Sequence, residues 1–199
     1  MTRVSKGPPP IVEALREGFA AYKRFFGPVL VGTLCAMVCG FVPLIGGFIA
    51  SAGFHNVALK AVRGEQPQVS DAFIGFSKLA DCIVIGLLQI CGMLACFLGL
   101  LITQPLFIPG SFFIIDRNVG WSEAKDLCME HVKPYLFQWV LFHFVMGIVA
   151  TILVFCSLCV FAFLTIPIFH LAIAYAYNYS FGQPAAEAES APVSVEQPA

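Results

Sequence analysis

The chain has 199 residues, 59% of them hydrophobic and 12% charged, with 20 Phe, a mean hydropathy of +0.85 and a formal net charge of -1. So little polar side chain cannot coat a water-soluble globule, and part of the solvent must be lipid. There is no cluster of Lys and Arg to neutralise phosphates, which argues against a nucleic-acid partner.

Residues 1–10 carry Arg3 and Lys6 but lead into a charged stretch rather than an apolar run with a small-residue cleavage site. They read as a flexible N-terminus of the mature protein, not as a signal peptide. Ile11, Leu15, Phe19, Tyr22 and Phe26 then recur at spacings of four, four, three and four, with Glu13, Arg16, Glu17, Lys23 and Arg24 between them. That spacing predicts an amphipathic helix with those apolar side chains on one face.

Three uncharged windows follow, Phe25 to Leu59, Cys82 to Ile115 and Pro134 to Phe181, the last the longest. At about 1.5 Å per residue, even the shorter two would extend about 50 Å as single helices, against a hydrocarbon core of about 30 Å. Each window is therefore expected to fold back as a hairpin, over about residues 25–63, 80–119 and 134–182. The fold class expected is an all-α integral membrane protein with six transmembrane helices in three tandem hairpins, residues 11–182 forming one membrane domain. All 23 charged residues then fall on one side, and the positive-inside tendency makes it the cytoplasm, with both termini there. The first two windows are barely long enough for two crossings each, so a non-spanning wedge of hairpins stays open.

Before the second hairpin come Val69, Ala72, Phe73, Phe76 and Leu79, with Ser70-Asp71 as the start signal. Before the third come Trp121, Ala124, Leu127, Cys128 and Val132, with Ser122 as a candidate cap. Each of the three amphipathic stretches can be read as a short interfacial helix on the membrane surface or as an N-terminal extension of the next span. Pro43, Pro105 and Pro167 recur at one constant interval, and each is followed by an aliphatic residue. Proline sacrifices no hydrogen bond in a first turn, so these three are expected to start helices two, four and six. Outer turns are then expected near Cys39-Gly40, Gly99 and Ser157-Leu158. At the same offset Asn56 falls on Asn118, which suggests that both mark helix exits. Residues 183–199 are Pro, Ala, Glu and Ser without periodicity and are expected to form a disordered cytoplasmic tail.

The run Ile114-Ile-Asp-Arg-Asn-Val-Gly-Trp-Ser-Glu-Ala124 and the closing Phe163-Leu-Thr-Ile-Pro-Ile-Phe-His-Leu-Ala-Ile-Ala-Tyr-Ala-Tyr-Asn-Tyr-Ser-Phe-Gly182 resemble a broad group of uncharacterised bacterial six-helix membrane proteins. That group is similar to the membrane domain fused to some glycerophosphoryl diester phosphodiesterases. The resemblance covers about residues 10 to 182 and implies the bacterial cytoplasmic (inner) membrane. It implies no catalytic residues, and this chain has no room for the phosphodiesterase domain.

Polar residues in hydrocarbon are the candidates for function. They are His55, Asn56, Asp81, Gln89, Gln104, His143 and His170, with Asn178 near the last exit. Asp81 reads either as a coupling carboxylate or as an interfacial residue beside Lys78. His143 and His170 read either as metal ligands or, preferably, as a hydrogen-bonded pair between helices. Cys156-Ser-Leu-Cys159 has redox-like spacing, yet simple packing is the better account of the eight cysteines. No cofactor, metal or catalytic residue is assigned, and the chain is not read as an enzyme. The expected role is to organise lipids or a membrane protein partner, a second copy included. The alternative is a small solute transporter or channel using the intramembrane His, Asn and Gln residues.

Overall fold

The structure, a computed structural model, describes residues 7–41, 45–92, 97–156 and 162–182. Pro43, Ser157-Leu158, Cys159, the first six residues and the tail from 183 onward lie outside the described residues. The described chain is all-helical, with no strand. In chain order the helices are α1 (Ile11–Arg24), α2 (Phe26–Gly40), α3 (Gly46–Val62), α4 (Ile74–Ser77), α5 (Leu79–Ile90), α6 (Phe97–Asp116), α7 (Trp121–Leu127), α8 (Leu136–Cys156) and α9 (Ala162–Phe181). A 3-10 turn, Val69–Phe73, leads into α4, and a π turn, Cys128–Val132, carries α7 towards α8.

Helices α2 and α3 pack side by side, as do α5 and α6, while α9 touches α1, α2, α3, α6 and α8. Two stretches, Gly99–Asp116 and Trp121–Leu153, are long and apolar enough to cross a membrane, or up to four if each of two bent pairs is one span. The bends are sharp: 99° between α1 and α2, and 83° between Val69–Ser77 and α5. The third amphipathic stretch runs on into α8 without such a break. The two readings of these stretches therefore divide, two of them set at an angle to the following helix and one a continuous extension of it.

The packed face of α1 takes in only part of the predicted apolar stripe, since Ile11, Leu15 and Tyr22 pack on the core. Ala14, Gly18 and Ala21 are buried with Tyr22, whereas Phe19 is 44% and Phe26 46% exposed. A Cβ on Gly18 would come within 2.9 Å of the Ala172 backbone nitrogen, so α1 and α9 approach almost backbone to backbone. Small residues permit that approach, as they do between helices in lipid. Around α4 the same rule holds. Ala72 is fully buried and a Cβ on Gly75 would meet the Ile49 carbonyl at 2.7 Å, while Val69, Phe73 and Phe76 stay exposed.

The prolines also differ from expectation. Pro105, with Pro109, lies in the interior of α6, and Pro167 lies inside α9 beyond its first turn. A proline at such a position removes an internal hydrogen bond, so neither Pro105 nor Pro167 is a helix-start proline. The first expected turn fits, since α2 ends at Gly40. The second falls at or just before Gly99, which sits in the first turn of α6 and packs on Gly92; residues 93–96 lie outside the described residues. Asn118 does follow a helix end, with a left-handed φ of 54°. Asn56 does not: it is buried within α3, which continues to Val62, and Gly64 with φ 82° takes the left-handed position there.

Candidate functional site

At the charged end of the bundle three helix ends meet on one guanidinium. Arg63, which caps α3, donates from Nη1 to Asp116 Oδ1 at 2.5 Å and from Nη2 to Oδ2 at 2.8 Å. Its Nε donates to Asn178 Oδ1 at 3.1 Å, and the Tyr177 hydroxyl donates to Asp116 Oδ2 at 3.1 Å. Arg63 retains 28% side-chain exposure and Asp116 13%, so the pair is partly desolvated. Burial alone would lower the Arg63 pKa, but the hydrogen bonds and charge of Asp116 outweigh it and the pKa is raised. Planar, two-pronged geometry of this kind fixes orientation as well as attraction. Beside it, Arg117 lies 4.9 Å above the Phe113 ring and donates to the Phe181 carbonyl at 3.2 Å.

A second cluster locks the Val69–Ser77 segment onto α3. Lys60 Nζ donates to Asp71 Oδ1 at 2.7 Å, and the Gln68 backbone N–H donates to Oδ2 at 2.7 Å. Asn56 Nδ2 donates to the Asp71 carbonyl at 3.1 Å and more weakly to Oδ1 at 3.4 Å. One turn away along α3, a Cβ on Gly53 would overlap the Ala72 carbonyl. Asn56 is thus structural glue rather than a free polar group.

The other candidates separate. Asp81 is half-buried and engaged with the start of another helix. Its Oδ1 accepts the Trp121 backbone N–H at 2.8 Å, capping α7 from α5 in place of Ser122. Gln89 Nε2 donates to Ser111 Oγ at 3.0 Å and to the Phe107 carbonyl at 3.2 Å, joining α5 to α6. His143 and His170 do not pair. His143 Nδ1 is 2.9 Å from the Trp139 carbonyl in its own helix, and His170 stacks on Phe54 with ring centroids 4.6 Å apart. The imidazole nearest His170 is His55, at 5.6 Å, itself stacked on Phe112. Among the described residues His55 Nδ1, His170 Nδ1 and His143 Nε2 are buried without a hydrogen-bond partner, and no group of three or more His, Cys, Asp or Glu is placed to hold a metal ion.

Two hollows remain. A cavity of about 180 Å³ between α3, α5 and α6 is lined by Ser51, Cys82, Gln89 and Ser111 among apolar residues. A groove of about 530 Å³ runs between α6 and α8 past Gln104 and Gly147. Of the cysteines whose side chains are described, Cys39, Cys82 and Cys128 are buried, Cys35 is half-buried and Cys91 is exposed, and all are free thiols.

Arg63, Asp116, Lys60 and Asp71 were invisible as a site because charges at window edges read as solvated. One signal pointed to part of it: Asp116 and Asn178, which share Arg63, are separated by the same interval as Pro105 and Pro167. No protein-family model, curated protein or solved structure matches this chain.

Proposed function

We propose that this is a multi-pass protein of the bacterial cytoplasmic membrane, crossing six times as the hairpins α2–α3, α5–α6 and α8–α9, with both termini cytoplasmic. Kinship with the membrane domain of some glycerophosphoryl diester phosphodiesterases belongs to the same proposal. Its role is non-enzymatic: it organises lipid, or a partner protein, at the cytoplasmic face.

One observation carries this reading, the aromatic and basic corner where α1 turns into α2. Lys23 Nζ sits 4.5 Å over the Phe19 ring and Arg24 5.1 Å over that of Phe25, and neither cation has a carboxylate partner among the described residues. Phe19 and Phe26 are exposed beside them. Apolar rings under unpaired cations fit the boundary between hydrocarbon and anionic headgroups, each cation there contributing about 1 kcal/mol. On the same side, by contrast, Arg63 and Lys60 are each paired with a carboxylate of the protein, Asp116 and Asp71.

The test is lipid retention. Protein extracted in mild detergent is expected to carry anionic phospholipid, measured by mass spectrometry, and Lys23→Ala with Arg24→Ala should lower the retained amount about fivefold or more, the two charges together being worth about 2 kcal/mol. Equal retention by the double variant would contradict the reading.

A second reading, a small solute transporter or channel, draws on the cavity between α3, α5 and α6, where Ser51, Gln89 and Ser111 are set among apolar residues. It is favoured if proteoliposomes take up a neutral solute and Ser51→Leu stops them.

A further inference from the structure

Gln104 is the one residue in the candidate set that the fold leaves exposed and without a hydrogen bond. It lies on α6, twelve residues before Asp116, or about 18 Å along the helix axis. On the membrane-spanning reading above, that is past the middle of a core about 30 Å thick. Water does not reach an amide there, and an unsatisfied one costs free energy.

We propose that the groove between α6 and α8 is the contact surface for a second copy of this chain, the two copies related by a two-fold axis beside Gln104. The inference rests on the membrane-spanning reading. A carboxamide presents both donors and an acceptor, so it is satisfied by another carboxamide in an antiparallel pair. Two-fold pairing brings the same residue to itself, which supplies that partner without any other polar group. Lipid chains offer neither donor nor acceptor at this depth, and their ester groups stay at the edges of the core.

The groove has the shape for it. Gly147 forms part of its wall, and a Cβ built there meets nothing within 4 Å, so a neighbouring helix can come close to the α8 backbone. Phe144 and Ile148, 53% and 45% exposed, line the same groove and offer apolar surface to the other copy. Thr151, also in the wall, donates to the Gly147 carbonyl at 2.8 Å and leaves no donor of its own unpaired.

Single-molecule photobleaching of labelled full-length protein in liposomes, over a range of protein-to-lipid ratios, tests the pairing. Wild type is expected to bleach in two steps. Gln104→Leu should weaken dimerisation on the order of fivefold, the scale of one intramembrane hydrogen-bonded pair, whereas Gln104→Asn keeps the amide and most of the dimer. Gly147→Leu fills open space, so the fold accepts it, and it should also release monomers. Wild type that bleaches in one step at every ratio overturns the proposal, as do dimers indifferent to both Gln104→Leu and Gly147→Leu. Carbonate washing of the same liposomes separates the two levels. Protein washed off overturns the spanning reading itself, while protein retained as monomer overturns the pairing alone.

Discussion

Arg63→Ala should lower the unfolding free energy by about 2 kcal/mol, read as a loss of thermal or denaturant resistance in detergent. Its guanidinium makes three hydrogen bonds, two to Asp116 and one to Asn178, and it joins the ends of α3, α6 and α9. Charge-assisted bonds contribute about 1.5–3 kcal/mol each when well shielded, and removing one member of a buried pair costs about 3–5 kcal/mol. The remaining exposure of Arg63 brings the expectation down towards the value for a half-screened pair. Arg63→Lys should restore less than half of the loss, because an ammonium cannot bind both Asp116 oxygens and reach Asn178 at once. Asp116→Ala should cost a similar amount. The double variant should cost clearly less than the sum of the two, since they remove the same contact. Additive losses would mean that the clamp does not hold the three ends.

The second large effect is steric. Gly53→Val should destabilise by about 3 kcal/mol or more, because its Cβ has no place beside the Ala72 carbonyl, and backbone rather than a flexible side chain would have to move. The displaced segment carries Asp71, so the Lys60 and Asn56 contacts are lost with it. Gly47→Ala, in the same helix but facing open space, has the opposite sign, a gain of up to about 1 kcal/mol from helix propensity. Thermal unfolding of the two variants side by side checks the contrast. Equal behaviour would mean that the 3-10 turn and α4 are not docked on α3 as described.

These two sites show what the sequence could and could not disclose. Helical character, the position of the first chain reversal and the amphipathic lead-in segments followed from apolar runs and spacing alone. How α1 packs followed only in part. Ile11, Leu15 and Tyr22 pack on the core as the stripe predicts, but Phe19 and Phe26 are exposed, and the small residues Ala14, Gly18 and Ala21 are buried, with Gly18 against α9. When the surroundings are apolar, burying a large side chain yields little, and close backbone approach decides the interface. The partners of the polar candidates were hidden for a related reason. Asp81 and Asn56 were singled out as isolated polar groups, but their partners, a backbone N–H of α7 and the Asp71 group, are 40 and 15 residues away in sequence. Arg63 was passed over because a charge at the edge of an apolar window has the same appearance whether it is solvated or paired with Asp116, 53 residues on. Pairings of this range are fixed by the packing of α3 against α6 and α9, which no local pattern encodes.

Sidedness is the claim from which the rest descends: every charged residue on one face, joined by hairpins that cross and return. Cysteines introduced singly at Glu65, Asp126 and Phe41, in a background with the native cysteines replaced, can be labelled with an impermeant maleimide from each side of sealed membrane vesicles. All three positions are exposed. The account predicts labelling of Glu65→Cys and Asp126→Cys from the cytoplasmic side only, and of Phe41→Cys from the opposite side only. Labelling of Glu65→Cys from the outside, or of Phe41→Cys from the same side as Glu65→Cys, would contradict it.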